Sequence, residues 1–285
     1  MYPEEGGGEA MPAPSGRRSI VSRNLEGLIP LILIIIIAAF LGHKFGLWQI
    51  PFLGDRGPIK MLVIGEPSIH LMSDLDTQRD LVYYQIKEPA GLEFAPREQL
   101  AQYDVILLDQ HMFAPEDRYR KSVSRTLGEA IENYVKTGGK LIVVMDSGIY
   151  RSGGIYGTGV ASDVIGWGAT FRDIIPVECD VGPNQKPTCT QAIVLTGKIH
   201  RVDYDSKIME GIEVAPADPA YGPLTILTFD VKPTGNIIAY IKNIATASYY
   251  PAIVEKRLLI GKVLYFNYDP AMTPGIWSNT LEYLR

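Results

Sequence analysis

The chain has 285 residues, with 27 Lys and Arg against 32 Asp and Glu, so its formal net charge is −5. This balance excludes a strongly basic nucleic-acid-binding protein, because phosphate neutralisation needs a broad positive surface. The hydrophobic content of 46% excludes a wholly disordered chain, and two cysteines exclude a disulfide-dense scaffold and a four-cysteine metal site.

Residues 1–24 are predicted to form a disordered tail. The first 16 residues carry three consecutive glycines, three prolines and three glutamates, and they offer too little apolar surface to offset the chain entropy. Arg17, Arg18 and Arg23 follow as a small basic cluster.

An apolar run over residues 27–42, GLIPLILIIIIAAFLG, is the strongest local signal. As a helix it spans about 24 Å, short of a hydrocarbon core of about 30 Å, and the extension to Trp48 completes the span. We therefore expect a single transmembrane helix over residues 25–49 that lies in the lipid bilayer. A cleaved signal peptide is the alternative, but an A-x-A cleavage pattern is missing. A second alternative is a helix buried in the core of the domain, but the run has no polar face that would meet water.

The flanking charges predict the orientation of this helix. The three arginines precede it closely, whereas Lys44 is the only cation close behind it. The positive-inside rule therefore predicts a cytoplasmic N-terminus at the cell membrane and a C-terminal domain outside the cytoplasm. Residues 50–58 are a Pro/Gly-rich linker, and residues 59–285 form the globular domain.

The globular domain is predicted to belong to the α/β class. Short apolar runs predict buried parallel strands over residues 60–65, 103–109 and 140–146, with helices between them over residues 73–86 and 115–137. This alternation indicates a mostly parallel central sheet flanked by helices. The second half of the domain is predicted to form strands over residues 190–197, 224–232, 236–242 and 262–268, followed by a helix over residues 274–284.

Several of these strings resemble a known family. YDVILLDQ at 103–110, YVKTGGKLIVVMDSG at 134–148 and the segment over residues 250–284 are similar to class I glutamine amidotransferase-like domains, which have a flavodoxin-like fold. DSKIMEGI at 205–212 adds to the resemblance. The similarity covers about residues 59–285 and implies the fold.

The family's catalytic residues are replaced in this chain. Its enzymes carry a cysteine at a sharp elbow after a central strand, with a late His–Glu pair. In this chain the elbow is residues 144–148, where Asp146 is expected at the cysteine position and Ser147 follows. Asp269 and Ala271 stand where the histidine and the glutamate are expected. We therefore expect no glutamine hydrolysis and assign no catalytic residue.

Asp109, Asp146 and Asp269 each close a predicted strand, and Ser147 lies beside them. Because ligands bind beyond the carboxyl ends of parallel strands, we interpret these four residues as a candidate binding crevice for a hard cation or for a cationic or hydroxylated ligand. The alternative is that the aspartates cap turns and helices. A hydrolase built from Ser147 with His111 or His70 is a further alternative.

No motif in the chain indicates a cofactor or a metal site. The glycine-rich segment at 151–159 lacks the phosphate-loop spacing, and we interpret it as a loop over the crevice. Cys179 and Cys189 bracket a polar loop and suit a local disulfide bond in an oxidising exterior, with two reduced thiols as the alternative. Two cysteines alone supply too few ligands for a metal.

Four tyrosines, Tyr249, Tyr250, Tyr265 and Tyr268, lie close together in the second half. Exposed, they suit contact with a protein or a glycan, whereas buried tyrosines serve packing. The sequence thus predicts a membrane-anchored, non-catalytic binding or assembly module, whose partner is another membrane or envelope protein or a glycan and not a nucleic acid. A hydrolase with a re-made site and a cytoplasmic-facing accessory subunit of a membrane transporter complex are the alternatives.

Overall fold

The computed structural model describes residues 30–41, 57–113, 121–151, 164–180, 187–190, 192–217 and 221–285. The chain divides into two units, Met1–Gly54 and Asp55–Arg285. In the first unit, helix α1 covers residues 30–41, and its apolar side chains are mostly exposed. Among the described residues, no helix has both the length and the apolar character needed to cross a membrane. The predicted tail and the remainder of the predicted span lie outside the described residues.

The second unit is built on one large sheet. Its strands, with those of two small two-stranded sheets, are β1 (Ile59–Gly65), β2 (Val82–Lys87), β3 (Val105–Asp109), β4 (Lys140–Val144), β5 (Tyr150–Arg151), β6 (Val164–Gly166), β7 (Val177–Glu178), β8 (Ala192–Arg201), β9 (Val214–Ala215), β10 (Leu224–Phe229), β11 (Lys232–Pro233), β12 (Asn236–Asn243), β13 (Tyr249–Arg257) and β14 (Lys262–Phe266). The described helices of this unit are α2 (Ile69–Thr77), α3 (Pro96–Leu100), α4 (Arg125–Lys136), α5 (Gly168–Phe171) and α6 (Pro274–Leu284).

The large sheet is parallel in one half and antiparallel in the other. Its order is β10-β8-β12-β13-β14-β4-β3-β1-β2, with β9 paired to β8. The strands from β2 to β14 pair in parallel, and those from β14 to β10 pair antiparallel. With β14 as the fifth strand, the parallel half has the order 2-1-3-4-5 of a flavodoxin-like fold. The predicted α/β class with parallel central strands is therefore confirmed, and successive hairpins extend the sheet beyond them.

The helix predicted over residues 73–86 is wrong in both position and length. α2 begins after Ser68, whose hydroxyl accepts a hydrogen bond from the Leu71 amide at 3.1 Å, and it ends at Thr77. Residues Val82–Lys87 form edge strand β2, in parallel pairing with β1. This segment is rich in β-branched and aromatic residues, so strand pairing prevails over the helical spacing of its apolar positions.

Two further boundaries differ from the predictions. The helix predicted over residues 115–137 starts only at Arg125, because Ser124 caps it by accepting a hydrogen bond from the Leu127 amide at 3.1 Å. Residues 114–120 lie outside the described part of the chain. Strand β13 was not predicted, although all five residues from Pro251 to Glu255 are buried within it.

The core fills both faces of the parallel half. Every residue of β3 is buried, as a strand covered on both faces requires. Helix α6 packs Trp277 edge-to-face on Phe266 of β14, with ring centroids 6.1 Å apart. Helices α4 and α5 approach closely at Gly128, where an added Cβ atom would lie 2.4 Å from the Thr170 carbonyl oxygen.

Asn267 joins the two halves of the sheet just beyond β14. Its amide nitrogen donates to the carbonyl oxygens of Phe229 at 2.8 Å and Pro251 at 2.9 Å. Its amide oxygen accepts from the Phe229 N–H at 3.0 Å and from the Tyr265 hydroxyl at 3.1 Å. The side chain is fully buried, so all of its hydrogen bonds are made within the protein. Asn267 thereby fixes the chain where it leaves β14 towards Asp269.

Candidate functional site

The aspartates predicted to line a crevice lie at one edge of the sheet. β3, β4 and β14 are adjacent parallel strands, and Asp109 is the last residue of β3. Asp146 lies two residues beyond β4, and Asp269 lies three residues beyond β14. The three carboxylates therefore follow neighbouring strand ends, where ligands bind in open α/β sheets. We call the region formed by these residues and His111 the strand-end crevice.

Asp109 and His111 form the closest polar contact in the crevice. His111 Nδ1 lies 2.5 Å from Asp109 Oδ1, and the His111 backbone N–H donates to the same oxygen at 3.3 Å. Asp109 is fully buried, and the His111 side chain is only 8% exposed. The carboxylate thus holds the imidazole in one orientation. The sequence offered His111 only as a candidate partner of Ser147 and did not predict this pair.

The other imidazole nitrogen faces the loop that follows β14. His111 Nε2 lies 3.9 Å from Asp269 Oδ2, a distance that suits an ion pair. Asp269 Oδ1 accepts a hydrogen bond from the Ala271 amide at 3.0 Å and caps the short 3₁₀ helix Pro270–Met272. One oxygen of Asp269 therefore fulfils the capping alternative, while the other faces His111.

The pKa values of both Asp109 and His111 are raised above their ordinary values, each for its own reason. Burial raises the pKa of Asp109, and its hydrogen bond to His111 offsets only part of that rise. Burial disfavours the charged form of His111, but the hydrogen bond and the charge of Asp109 outweigh it and raise the pKa of the imidazole. The charges of Asp269 and Asp146 raise the pKa of His111 further. The folded protein therefore binds the proton on His111 more tightly than an exposed histidine does.

Ser147 is part of the scaffold of the crevice. It is 1% exposed, and its hydroxyl oxygen accepts a hydrogen bond from the Gln110 backbone N–H at 2.7 Å. The Gln110 side-chain oxygen in turn accepts from the Gly148 N–H at 2.9 Å. The Ser147 carbonyl oxygen accepts from the Trp167 indole N–H at 2.9 Å. These bonds tie the loop after β3 to the turn after β4.

The strained position of the elbow is occupied by Met145. Its φ angle is +50°, in the left-handed region that costs a residue with a side chain about 1 kcal/mol or more. Its backbone N–H donates to the Phe266 carbonyl oxygen at 2.7 Å, and its side chain is 1% exposed. The left-handed backbone of the elbow thus lies at Met145, one residue before Asp146, and its thioether cannot act as a nucleophile.

The proposed pairing of Ser147 with a histidine is not present in the described residues. The Ser147 hydroxyl is engaged with Gln110, and His111 Nδ1 is engaged with Asp109. His70 is exposed on the first turn of α2. Among the described residues, no group of three or more His, Cys, Asp or Glu side chains is arranged to hold a metal ion. A serine–histidine hydrolase thus lacks its central hydrogen bond.

Sequence reasoning missed Asp74, which belongs to the same electrostatic group. It lies on α2, which contacts the short helix that Asp269 caps. Burial raises the pKa of Asp74, and the charge of Asp269 raises it further, while the charge of His70 lowers it. The helix predicted over residues 73–86 begins four residues later than α2, so the sequence did not single out Asp74 as a site residue. No local signal places α2 over the end of β14.

The remaining predicted features have mixed outcomes. The predicted disulfide bond joins Cys179 and Cys189, whose Cα atoms are 5.2 Å apart. Tyr265 and Tyr268 are fully buried and Tyr250 is partly buried, so only Tyr249, at 58% exposure, presents an open surface. Most of the glycine-rich segment lies outside the described residues.

Comparison with known proteins gives only distant structural similarity. No protein-family model and no curated protein match this chain. A cytoplasmic protein from Salmonella typhimurium is similar at 15% identity with a TM-score of 0.49, covering 79% of this chain and 98% of its own. A β-galactosidase from Rahnella sp. R3 is similar at 16% identity with a TM-score of 0.48, covering 81% of this chain. This chain spans 32% of that β-galactosidase.

A candidate GMP synthase component from Thermoplasma acidophilum is also similar, at 8% identity with a TM-score of 0.39. The similarity covers 81% of this chain and 96% of that protein. At this distance neither an activity nor a ligand is transferred to this chain.

Proposed function

We propose that the chain is a single-pass, membrane-anchored module that binds or assembles with a partner and does not catalyse a reaction. Its domain has the glutamine amidotransferase-like fold and lies outside the cytoplasm. The observation that carries the non-catalytic part is the elbow. The strained position that a nucleophile needs holds the buried Met145 side chain. The neighbouring Ser147 hydroxyl is committed to a backbone N–H.

The disulfide bond in the domain and the apolar segment near the N-terminus both support this location. The disulfide bond between Cys179 and Cys189 is typical of an oxidising compartment. Helix α1 is apolar over residues 30–41, and the side chains of Ile34 to Ile37 are each at least half exposed. A bilayer around a longer helix over residues 25–49 covers these side chains, and Arg17, Arg18 and Arg23 hold the tail at the cytoplasmic face.

The outer face of the antiparallel half offers a contact surface for a partner. Val194 of β8 and Leu227 of β10 lie directly opposite each other and are 68% and 38% exposed. Tyr249 of β13 is also exposed on this half of the sheet. Tyrosine is enriched among the residues that contribute most to binding between proteins, and the exposed aliphatic side chains beside it lose contact with water when a partner binds. We propose that another envelope protein occupies this surface, with a glycan as the other candidate.

Orientation is tested by labelling intact cells with a membrane-impermeant maleimide, with and without prior treatment by an impermeant reductant. Labelling of Cys179 and Cys189 only after reduction supports an external, oxidised domain. Labelling that requires lysis and occurs without reductant overturns the external location and brings forward the cytoplasmic-facing accessory role. The comparison includes a denatured sample with free thiols, because it separates buried thiols from an internal domain.

Assembly is tested by placing a photo-crosslinking residue at Val194 in native membranes. A matched control carries the same residue at Glu282, an exposed position on α6. A discrete adduct at Val194, absent at Glu282 and identified as another envelope protein, supports the proposal. Recovery of the monomer alone from both positions overturns the assembly role.

A hydrolase remains the second candidate, and the Asp109–His111 pair is the observation that favours it. A carboxylate that orients an imidazole is a common acid–base unit. The purified chain is assayed with generic ester, amide and glycoside substrates beside a His111→Gln variant. Turnover that the variant abolishes supports the hydrolase, and no turnover by the intact chain rejects it.

A further inference from the structure

The turn that joins β13 to β14 presents apolar side chains at its tip. Residues 258–261 have the sequence LLIG, and the Leu258 N–H donates a hydrogen bond to the Gly261 carbonyl oxygen at 2.9 Å. Leu258 packs partly against the core, whereas Leu259 is 95% exposed, the highest value for a large apolar side chain in the described part of the chain. Hairpin turns normally carry glycine, asparagine, aspartate or serine, so the turn itself does not require a leucine there. We call residues 258–260 the hairpin tip.

Three cations lie side by side where the hairpin tip leaves the sheet. Arg257 of β13 is paired in register with Lys262 of β14, which is in turn paired with Lys140 of β4. The Arg257 side chain is 65% exposed, and its Nε donates to the buried Glu255 carboxylate at 3.0 Å. Lys262 Nζ lies 4.1 Å from the centroid of the Tyr283 ring. Arg257, Lys262 and Lys140, which we call the basic row, therefore line the base of an apolar turn.

The hairpin tip lies at the edge of the sheet where the chain enters the domain. β1, β3, β4 and β14 are parallel neighbours that all begin at this edge. Ile59, the first residue of β1, is three strand spacings from the start of β14, which is about 14 Å. The strand-end crevice lies at the opposite edge. Residues 50–58, the expected linker to the membrane helix, extend over at most about 30 Å, so the tether holds the edge with the hairpin tip near the bilayer.

We infer that the hairpin tip inserts into the headgroup region of the bilayer, with the basic row against anionic lipid headgroups. Leu259 and Ile260 lose contact with water there, and the cations of the basic row meet lipid phosphate groups. The aliphatic stems of arginine and lysine cover apolar surface while their charged ends stay among the headgroups. This inference rests on the proposed membrane anchor, but it does not depend on the side of the membrane on which the domain lies.

The size of the hairpin tip favours lipid over a protein partner. A specific protein interface buries about 1,000 Å² or more in total, and three residues of a single turn supply only a small part of that area. A lipid surface adapts to an inserted side chain and needs no complementary shape. Because the anchor makes the contact intramolecular, a small apolar tip is sufficient to hold it.

The test uses the full chain in vesicles, with one fluorescent probe that reports contact with lipid. The probe is attached through Leu259→Cys, and its matched control is attached through Ile69→Cys, a 73%-exposed aliphatic position beyond the carboxyl end of β1. Cys179 and Cys189 are joined in the disulfide bond, so each variant has one free thiol. The vesicles are made of phosphatidylcholine alone or of an equal mixture with anionic phosphatidylglycerol. Both carry a lipid with a nitroxide quencher close to its headgroup.

The expected result is strong quenching of the Leu259 probe and little quenching of the Ile69 probe, with the larger difference in the anionic vesicles. Lys262→Gln is expected to move the balance between inserted and free hairpin tips about fivefold towards the free state, the effect of one cation near an anionic surface. Lys87→Gln is the matched control, because Lys87 ends β2 at the opposite edge of the sheet, and it is expected to leave the balance unchanged.

Three outcomes overturn the inference in a chain that floats with the vesicles. They are equal quenching of the two probes, equal quenching of the Leu259 probe in both lipids, and equal effects of the two lysine variants. Shielding of the Leu259 probe that grows with protein density and is not quenched by lipid assigns the hairpin tip to a second copy of the chain, and also overturns it. Both probes are at exposed positions, so their comparison stands even where a lysine variant fails to fold. A chain that does not float with the vesicles rejects the anchor, and this inference with it, so the two failures are distinguishable.

Discussion

Replacing Asn267 by alanine is expected to be among the most destabilising single changes in the domain. The side chain makes four hydrogen bonds, to the backbone of Phe229 and Pro251 and to the Tyr265 hydroxyl. The change leaves these partners unpaired in the interior. At about 1 kcal/mol for each hydrogen bond, the free energy of unfolding falls by about 4 kcal/mol.

The measurement is chemical denaturation of the full chain in detergent, followed by far-ultraviolet circular dichroism and by tryptophan fluorescence. Asn236→Ala is the matched control, because its amide makes one exposed hydrogen bond, to Asp203 at 2.6 Å. The control is expected to lose less than about 1 kcal/mol. A loss below about 1.5 kcal/mol for Asn267→Ala refutes the reasoning, because the unpaired groups then find other partners at little cost.

Three further changes test other parts of the structure. Gly128→Ala is expected to lower the free energy of unfolding by about 1–3 kcal/mol, because the added methyl group meets the α5 backbone. This loss outweighs the normal preference of a helix for alanine over glycine. Gly91→Ala is the control, because it has open space around it and is expected to be neutral or slightly stabilising. Reducing the disulfide bond between Cys179 and Cys189, which are ten residues apart, is expected to lower the free energy of unfolding by about 3 kcal/mol. A variant with alanine at both positions is expected to have the same free energy of unfolding with and without reductant. Because folding raises the pKa of His111, protonation of this imidazole stabilises the folded state. That contribution to the free energy of unfolding is complete below the ordinary pKa of 6.5 and is lost as the pH rises through the pKa of the folded state. A His111→Gln variant, whose unfolding is measured between about pH 6 and 8, is expected to lose this pH dependence.

The sequence was sufficient to predict β1, β3 and β4 of the parallel half, and with them the edge on which the aspartates lie. The apolar runs at β1, β3 and β4 are fully buried, so their composition is a strong signal. Asp109, Asp146 and Asp269 then follow from the rule that parallel strands end on the same edge. The α/β class followed from the alternation of these runs with the helices predicted between them.

The features that the sequence did not predict depend on contacts between segments far apart in the chain. β2 carries apolar residues at helical spacing, and only its pairing with β1 makes it a strand. Met145 looks like an ordinary strand residue in the sequence, and its left-handed backbone becomes apparent only when the elbow is built. Asp74 reaches the crevice because α2 packs against the short helix after β14, a contact between segments about 200 residues apart.

The position of β14 in the sheet has a consequence for how the domain forms during synthesis. β14 lies between β13 and β4, yet it emerges from the ribosome more than 100 residues after β4. Until then, the hydrophobic edge of β4 has no partner, and the two halves of the sheet have no shared strand. Closing such a long loop is slow, and the open edge is prone to pair with other chains. The nascent domain therefore depends on its last strand, and a chaperone that shields β4 is expected to raise the folded yield.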